Sequence, residues 1–210
     1  GKTHYIPHHP VVKQDRETTK VRPVFDGSAK MKDHPSINEC LYSGPCLLNL
    51  IFGILLRFRM FPIGLISDIK QAFLNVGIQE EYRDYLRFLW YDDIMSENPK
   101  LVHFRFLRVI FGLNCSPFLL NGTIRLHMLR YVASDPEFMH QFLRDLYIDD
   151  STTGVNSNDE GIHFYQKAKS AMQDAGFELR KWVSNSKDLL KKICEQEGIS
   201  YEEDDLVKGV

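Results

Sequence analysis

The spacing of apolar residues changes several times along this chain, and each change marks an element. Tyr5-Ile6-Pro7 and Lys20-Val21-Arg22-Pro23-Val24-Phe25-Asp26 mix β-branched and aromatic residues with proline, which predicts two short strands. From Pro45 to Arg59 apolar residues recur at 47, 48, 51, 54, 55 and 58, the stripe of a helix. Pro62-Ile63-Gly64-Leu65-Ile66-Ser67-Asp68 is an apolar run that stops on a carboxylate. So short a run reads as a buried strand, and residues 69–73 then turn helical. Residues 85–91 and 102–106 predict a hairpin, with the polar segment 92–100 as its loop. Residues 116–132 read as a helix, Ser116 being a good cap and Pro117 a good first residue. Residues 145–148 and 151–155 flank Asp149-Asp150 as strand, turn and strand. Residues 161–174 form a further amphipathic helix, and Gly176 suits its end before Phe177-Glu178-Leu179. The order predicts an α+β fold, with helices laid on one face of an antiparallel sheet.

Composition narrows the class. The 210 residues are 43% hydrophobic and 26% charged, enough for one large domain or two modest subdomains and too apolar for wholesale disorder. The net charge of −2 excludes a polycation that coats nucleic acid indiscriminately. The charge is unevenly spread, however. Residues 2–32 hold seven Lys/Arg against three acids, residues 101–134 hold four Arg and no acid, and residues 188–210 hold seven acids against three Lys. Basic segments of this kind either face a polyanion or are ordinary solvated surface. The longest apolar stretch, 47–56, contains Asn49 and stops at Arg57, too short for a membrane span. Cysteines 40, 46, 115 and 194 form no CxxC pair or dense framework, which points to a reducing, intracellular setting. The start, Gly1-Lys2-Thr3, lacks an initiator Met and a signal peptide, as expected of a piece of something longer.

Candidate chemistry lies in two places, Asp68 at the end of an apolar strand and Asp149-Asp150 at a turn. A carboxylate beside an apolar run costs desolvation unless a cation meets it, and adjacent acids repel. If the two strands are neighbours, three carboxylates converge, the arrangement of a two-metal phosphoryl-transfer site. On spacing alone the plainer reading stays open: Asp-Asp is good turn chemistry and Asp68 a helix cap. Asp92-Asp93 is a comparison pair at a turn with no chemistry suggested.

The ordered set of motifs adds a resemblance. Tyr5-Ile6-Pro7-His8-His9-Pro10-Val11-Val12, Val21-Arg22-Pro23-Val24-Phe25-Asp26, Ser67-Asp68-Ile69-Lys70-Gln71-Ala72-Phe73, Phe111-Gly112-Leu113-Asn114-Cys115-Ser116-Pro117-Phe118, Tyr147-Ile148-Asp149-Asp150 and Phe177-Glu178-Leu179-Arg180-Lys181-Trp182-Val183-Ser184-Asn185 together resemble the reverse transcriptase family. In detail they look like the polymerase of Pao/BEL long-terminal-repeat retrotransposons. The resemblance implies the fingers and palm of a right-hand polymerase: fingers at 1–62, palm at 63–210, and an inserted fingers segment at about 78–110. The thumb, RNase H, protease and integrase regions of the polyprotein are expected outside the chain. RNA-directed DNA synthesis is the implied activity, with RNA or DNA template, DNA primer and dNTPs as partners and no membrane. The implied setting is a cytoplasmic virus-like particle or the nucleus.

The resemblance also carries roles. Asp68, Asp149 and Asp150 would hold two Mg²⁺ ions, or Mn²⁺, helped by the Ile69 carbonyl. The amides of Gln71 and Ala72, with Arg22, would face the nucleotide triphosphate, a nearby lysine (Lys13 or Lys20) assisting. Phe73 would gate the sugar, and Gly112 would support the nucleotide. Ser116, Pro117 and Tyr147 would support template and primer, and Lys181 would stand near the leaving pyrophosphate. Ile148 occupies a variable position of its motif, and Phe111 stands where many retroviral enzymes carry Gln. The alternative expectation is a catalytically incompetent or co-opted fragment that only binds primer–template. A nuclease using the same acids would need neither Phe73 nor the Gly112 motif.

Overall fold

The computed structural model describes residues 3–12 and 21–201. In chain order these form β1 (His8–Val12), β2 (Val21–Phe25), α1 (Ile37–Cys40), α2 (Ile51–Arg59), β3 (Ile63–Ile69), β4 (Arg87–Tyr91), β5 (Leu101–Arg105), α3 (Ser116–Met128), α4 (Pro136–Asp145), β6 (Leu146–Tyr147), β7 (Asp150–Val155), α5 (Asn158–Asp174), β8 (Leu179–Ser184) and α6 (Lys187–Glu197). Short 3₁₀ turns lie at Ala72–Asn75, Glu80–Tyr85 and Leu129–Tyr131. Every paired strand is antiparallel, and the chain divides into two units. Among the described residues no helix is long and apolar enough to cross a membrane.

One unit holds the described residues up to Cys46 together with Phe73–Leu120. It carries two two-stranded ladders, β1–β2 and β4–β5. The hairpin expected around residues 85–106 is β4–β5, with Arg87 opposite Arg105 and Tyr91 opposite Leu101. The opening strand lies later than expected, at His8–Val12. Tyr5 lies outside the strands and joins Arg87 by an isolated bridge, and the Ile6 amide donates to the Arg87 carbonyl at 2.8 Å. Residues 5–7 therefore tie the chain start to β4, because Ile6, 2% exposed, belongs to the unit's core with Ile37, Leu86, Ile110 and Leu113. Phe25, Phe88 and Phe106 meet with centroids 4.7–5.3 Å apart, in edge or tilted contacts that favour aromatic pairs.

The other unit holds Leu47–Ala72 and the described residues from Asn121 onward. Its four-stranded sheet has the order β6-β7-β3-β8. The period-2 alternation of β3 puts Leu65, Ser67 and Ile69 on a face 1–2% exposed, and half-exposes Ile66 and Asp68 on the other. Helices α4 and α5 pack on the buried face: the Gln141 amide donates to the Thr153 hydroxyl at 3.0 Å, and Tyr165 meets Trp182 edge-on at 5.0 Å. The expectation of helices on one face needs correction at one end. Gly64 and Gly154 pair across β3–β7, and a Cβ at either would collide with the ring of Phe58 or Phe61, at 2.3 and 2.6 Å. The glycine pair thus opens a recess on the Asp68 side that takes the end of α2.

Three further expectations shift for local reasons. Helix α2 starts at Ile51, not near Pro45: the Asn49 amide donates to the carbonyls of Leu143 (2.7 Å) and Leu146 (2.9 Å), and Leu50, the cap, is extended. Residues 136–145, assigned no element from the sequence, form α4. Asp135 caps it by accepting the Phe138 amide at 3.2 Å, and Pro136 opens it. Asp145, read as a strand residue, ends that helix instead. It is 2% exposed, accepts the Thr153 hydroxyl at 2.7 Å and pairs with Arg144 and Arg57 at 3.0 and 3.5 Å. Ile69 closes β3, so the expected helix at residues 69–73 is only the 3₁₀ turn Ala72–Asn75. Lys13, Lys20 and residues 207–210 lie outside the described residues.

Candidate active site

In the antiparallel ladder β3–β7, Asp68 stands opposite Asp150, and opposed residues share a face. Asp149 sits in the turn before β7, where its carbonyl accepts the Ile69 amide at 2.8 Å. That bond ties the end of β3 to the turn. Tyr147, the last residue of β6, is paired with Asp150. Burial pushes the Asp149 carboxyl above the ordinary range, and the charge of Asp68 adds to it. Asp150 is raised by burial first, then by Asp149 and Asp68, with Lys181 acting the other way.

Asp68 itself is held by two cations. Arg180, its cross-strand partner on β8, places Nε 3.1 Å from Oδ1 and Nη2 3.4 Å from Oδ2. Lys181 Nζ lies 3.5 Å from Oδ2. The β3–β8 register shifts between Ile66 and Asp68, and Lys181 takes φ +53°, so an irregularity in β8 brings consecutive cations to one carboxylate. Gln71 (φ +49°) and Ile148 (φ +54°) are also left-handed. Ile148 is β-branched, for which this region costs about 1–3 kcal/mol. The motif's variable position is therefore not conformationally neutral, and strain gathers at the turns that carry the carboxylates.

The comparison pair behaves differently. Asp92 accepts the amides of Asp93 and Lys100 at 2.8 and 2.9 Å, and Asp93 accepts that of Met95 at 2.9 Å. Those acids serve their turn, whereas Asp149 and Asp150 crowd like charge. Among the described residues no three His, Cys, Asp or Glu side chains gather into a ready metal cage. Asp68 and Asp150, opposed across β3–β7, are hard oxygen donors of the kind that a cation such as Mg²⁺ takes, one or two carboxylates with waters and substrate phosphates completing its shell. Burial is the larger cause of both shifts, and the nearby carboxylates add like charge that a cation would offset.

The remaining predicted residues distribute as follows. Gln71 is exposed, and Ala72, 1% exposed, ends the sheet unit. In the other unit Phe73 is 4% exposed and meets Phe111 edge-on with centroids 4.4 Å apart. Gly112 has φ +93°, and a Cβ there would lie 2.2 Å from the Phe25 carbonyl oxygen, so only glycine fits. Its carbonyl accepts the Asn38 amide at 2.9 Å. Ser116 is 1% exposed, and its hydroxyl donates to the Ile110 carbonyl at 2.6 Å; Pro117 follows in the first turn of α3. Arg22 is exposed on β2, and nearby Asp26 accepts the amides of Ser28 and Ala29. With Phe25, Phe88, Trp90 and Phe111, Arg22 lines a groove of about 790 Å³ in this unit. The site residue that sequence reasoning missed is Arg180. Its signal was its position beside Lys181 on a strand, but the partner across the ladder was invisible.

No protein-family model matches the chain, and no curated protein matches it. Solved structures do. The foamy viral protease–reverse transcriptase in complex with an RNA/DNA hybrid superposes with a TM-score of 0.60 at 18% identity, over 85% of this chain and 20% of that one. The chain has a reverse-transcriptase-like fold. The dRH form in complex with double-stranded DNA gives the same TM-score and identity over 85% of this chain and 27% of that one. A CSH mutant of the prototype foamy virus enzyme again gives 0.60 and 18%, over 83% and 20%. The chain thus spans about a fifth to a quarter of the length of the proteins it resembles.

Proposed function

We propose that the chain is the fingers and palm of an RNA-directed DNA polymerase of the Pao/BEL type, with the fingers at 1–62 and about 78–110 and the palm over the rest. The observation that carries the reading is Asp68 opposite Asp150, with Asp149 in the adjoining turn, inside a reverse-transcriptase-like fold. Solved relatives of that fold hold an RNA/DNA hybrid or double-stranded DNA, which supports primer–template as the partner. Asp68, Asp149, Asp150 and the Ile69 carbonyl would hold two Mg²⁺ ions, which supply Lewis-acid activation of the primer hydroxyl and offset charge on the leaving pyrophosphate. The chain's own residues bind and orient. Arg22 and the amides of Gln71 and Ala72 take the triphosphate, and Lys181 stands by the leaving group. Phe73 fills the space beside the sugar, which Gly112 supports from the backbone. Ser116, Pro117 and Tyr147 bear on template and primer.

Primer extension on RNA and DNA templates tests the proposal. Asp68→Asn and Asp149→Asn are expected to abolish extension while leaving circular dichroism unchanged, and Asp92→Asn to leave extension intact. Normal extension by either site variant would overturn the assignment. Binding of primer–template without any extension by the unsubstituted chain would leave it as a binding fragment.

A further inference from the structure

The three acids are not equally provided with counter-charge. Asp68 has both oxygens engaged, by the two nitrogens of Arg180 at 3.1 and 3.4 Å and by Lys181 at 3.5 Å. Among the described residues neither Asp149 nor Asp150 is gripped in this way; Lys181 acts on Asp150 through its charge. A divalent cation shared by Asp68 and its neighbours therefore meets a carboxylate already gripped on both oxygens. The grip is geometrically specific. Arg180 is the register partner of Asp68, so the strand pairing delivers its planar fork to the carboxylate, and a fork matches two oxygens in a way that an ammonium does not.

We propose that Arg180 is a positioning residue that clamps Asp68 and must release one of its oxygens before the site takes a divalent cation. The inference rests on the reading of Asp68 as a cation ligand. Arg180 then does two opposed things. It fixes the Asp68 side chain on the face it shares with Asp150, and it sets the cation concentration at which the site loads. Lys181, with a single contact at the far edge of the same carboxylate, is the secondary member of the clamp.

The test is Mn²⁺ binding to the 210-residue chain, followed by the electron paramagnetic resonance signal of free Mn²⁺, with no polymerase assay involved. Asp68→Asn is expected to weaken binding at least tenfold. Arg180→Lys keeps the charge and loses the fork, and it is expected to tighten binding at least threefold; Arg180→Gln should tighten it at least as much. Circular dichroism and melting temperature check that each variant is folded. If Arg180→Lys binds Mn²⁺ as the unsubstituted chain does while Arg180→Gln binds more tightly, the effect is bulk charge and the clamp is overturned. Weaker binding by both Arg180 variants overturns it as well. If Asp68→Asn leaves binding unchanged, the reading of Asp68 as a cation ligand fails, a result distinct from failure of the clamp alone.

Discussion

Phe73 offers the sharpest separation between packing and chemistry. Its ring is 4% exposed and lies edge-on to Phe111 at 4.4 Å. Phe73→Val removes about four carbons from that pocket. Full truncation of a buried Phe to Ala costs about 3–5 kcal/mol, and Val keeps part of the contact, so about 2–3 kcal/mol is expected. The lost edge contact with Phe111 accounts for about 0.5–1.5 kcal/mol of it. In a chain of this size each kcal/mol lowers Tm by about 2–4 °C, giving a fall of roughly 4–12 °C. If the ring also limits the space at the sugar, its loss admits a 2′-hydroxyl. Selection against rNTP then drops at least tenfold, or about 1.4 kcal/mol of discrimination. The assay is single-nucleotide insertion of dNTP against rNTP, with Tm recorded in parallel. A lowered Tm with an unchanged rNTP:dNTP ratio refutes the gate and leaves Phe73 a core residue.

Gly112→Ala places a Cβ about on top of the Phe25 carbonyl at φ +93° and is expected to cost about 2–4 kcal/mol by urea unfolding. Gly176→Ala, at φ +78° with open space around it, should cost only about 1 kcal/mol. Asp145→Ala removes the buried acceptor of the Thr153 hydroxyl and the partner of two part-exposed arginines, and about 1–3 kcal/mol of destabilisation is expected. The Asp150 carboxyl is raised in the folded chain, so its charge opposes folding at neutral pH and that penalty fades as pH falls through its folded value. Asp150→Asn should therefore raise Tm at pH 7, and the difference should close below roughly pH 4, the ordinary Asp range.

Local spacing was enough to locate most elements of this protein. The hairpin β4–β5, the strand β3 and the long helix α5 follow from alternation and helical stripes, because burial on one face imposes the period directly. The identity of the carboxylates was also legible, since an acid at the end of an apolar strand and a pair at a turn are chemically conspicuous. Helix α4 carries its cap and its proline in the sequence, at Asp135 and Pro136, but the acids that follow at 149–150 draw the reading toward a strand and turn. What sequence could not supply was partnership across the chain. That Asp92-Asp93 satisfies backbone amides while Asp149-Asp150 crowds Asp68 depends on which strands pair and in what register. The same holds for Arg180, 112 residues from the carboxylate it grips, and for Asn49, whose amide reaches two carbonyls nearly a hundred residues away. Each of these is a long-range hydrogen bond or charge contact. Its energy depends on distance in space, which a linear pattern does not encode and only the folded ladder decides.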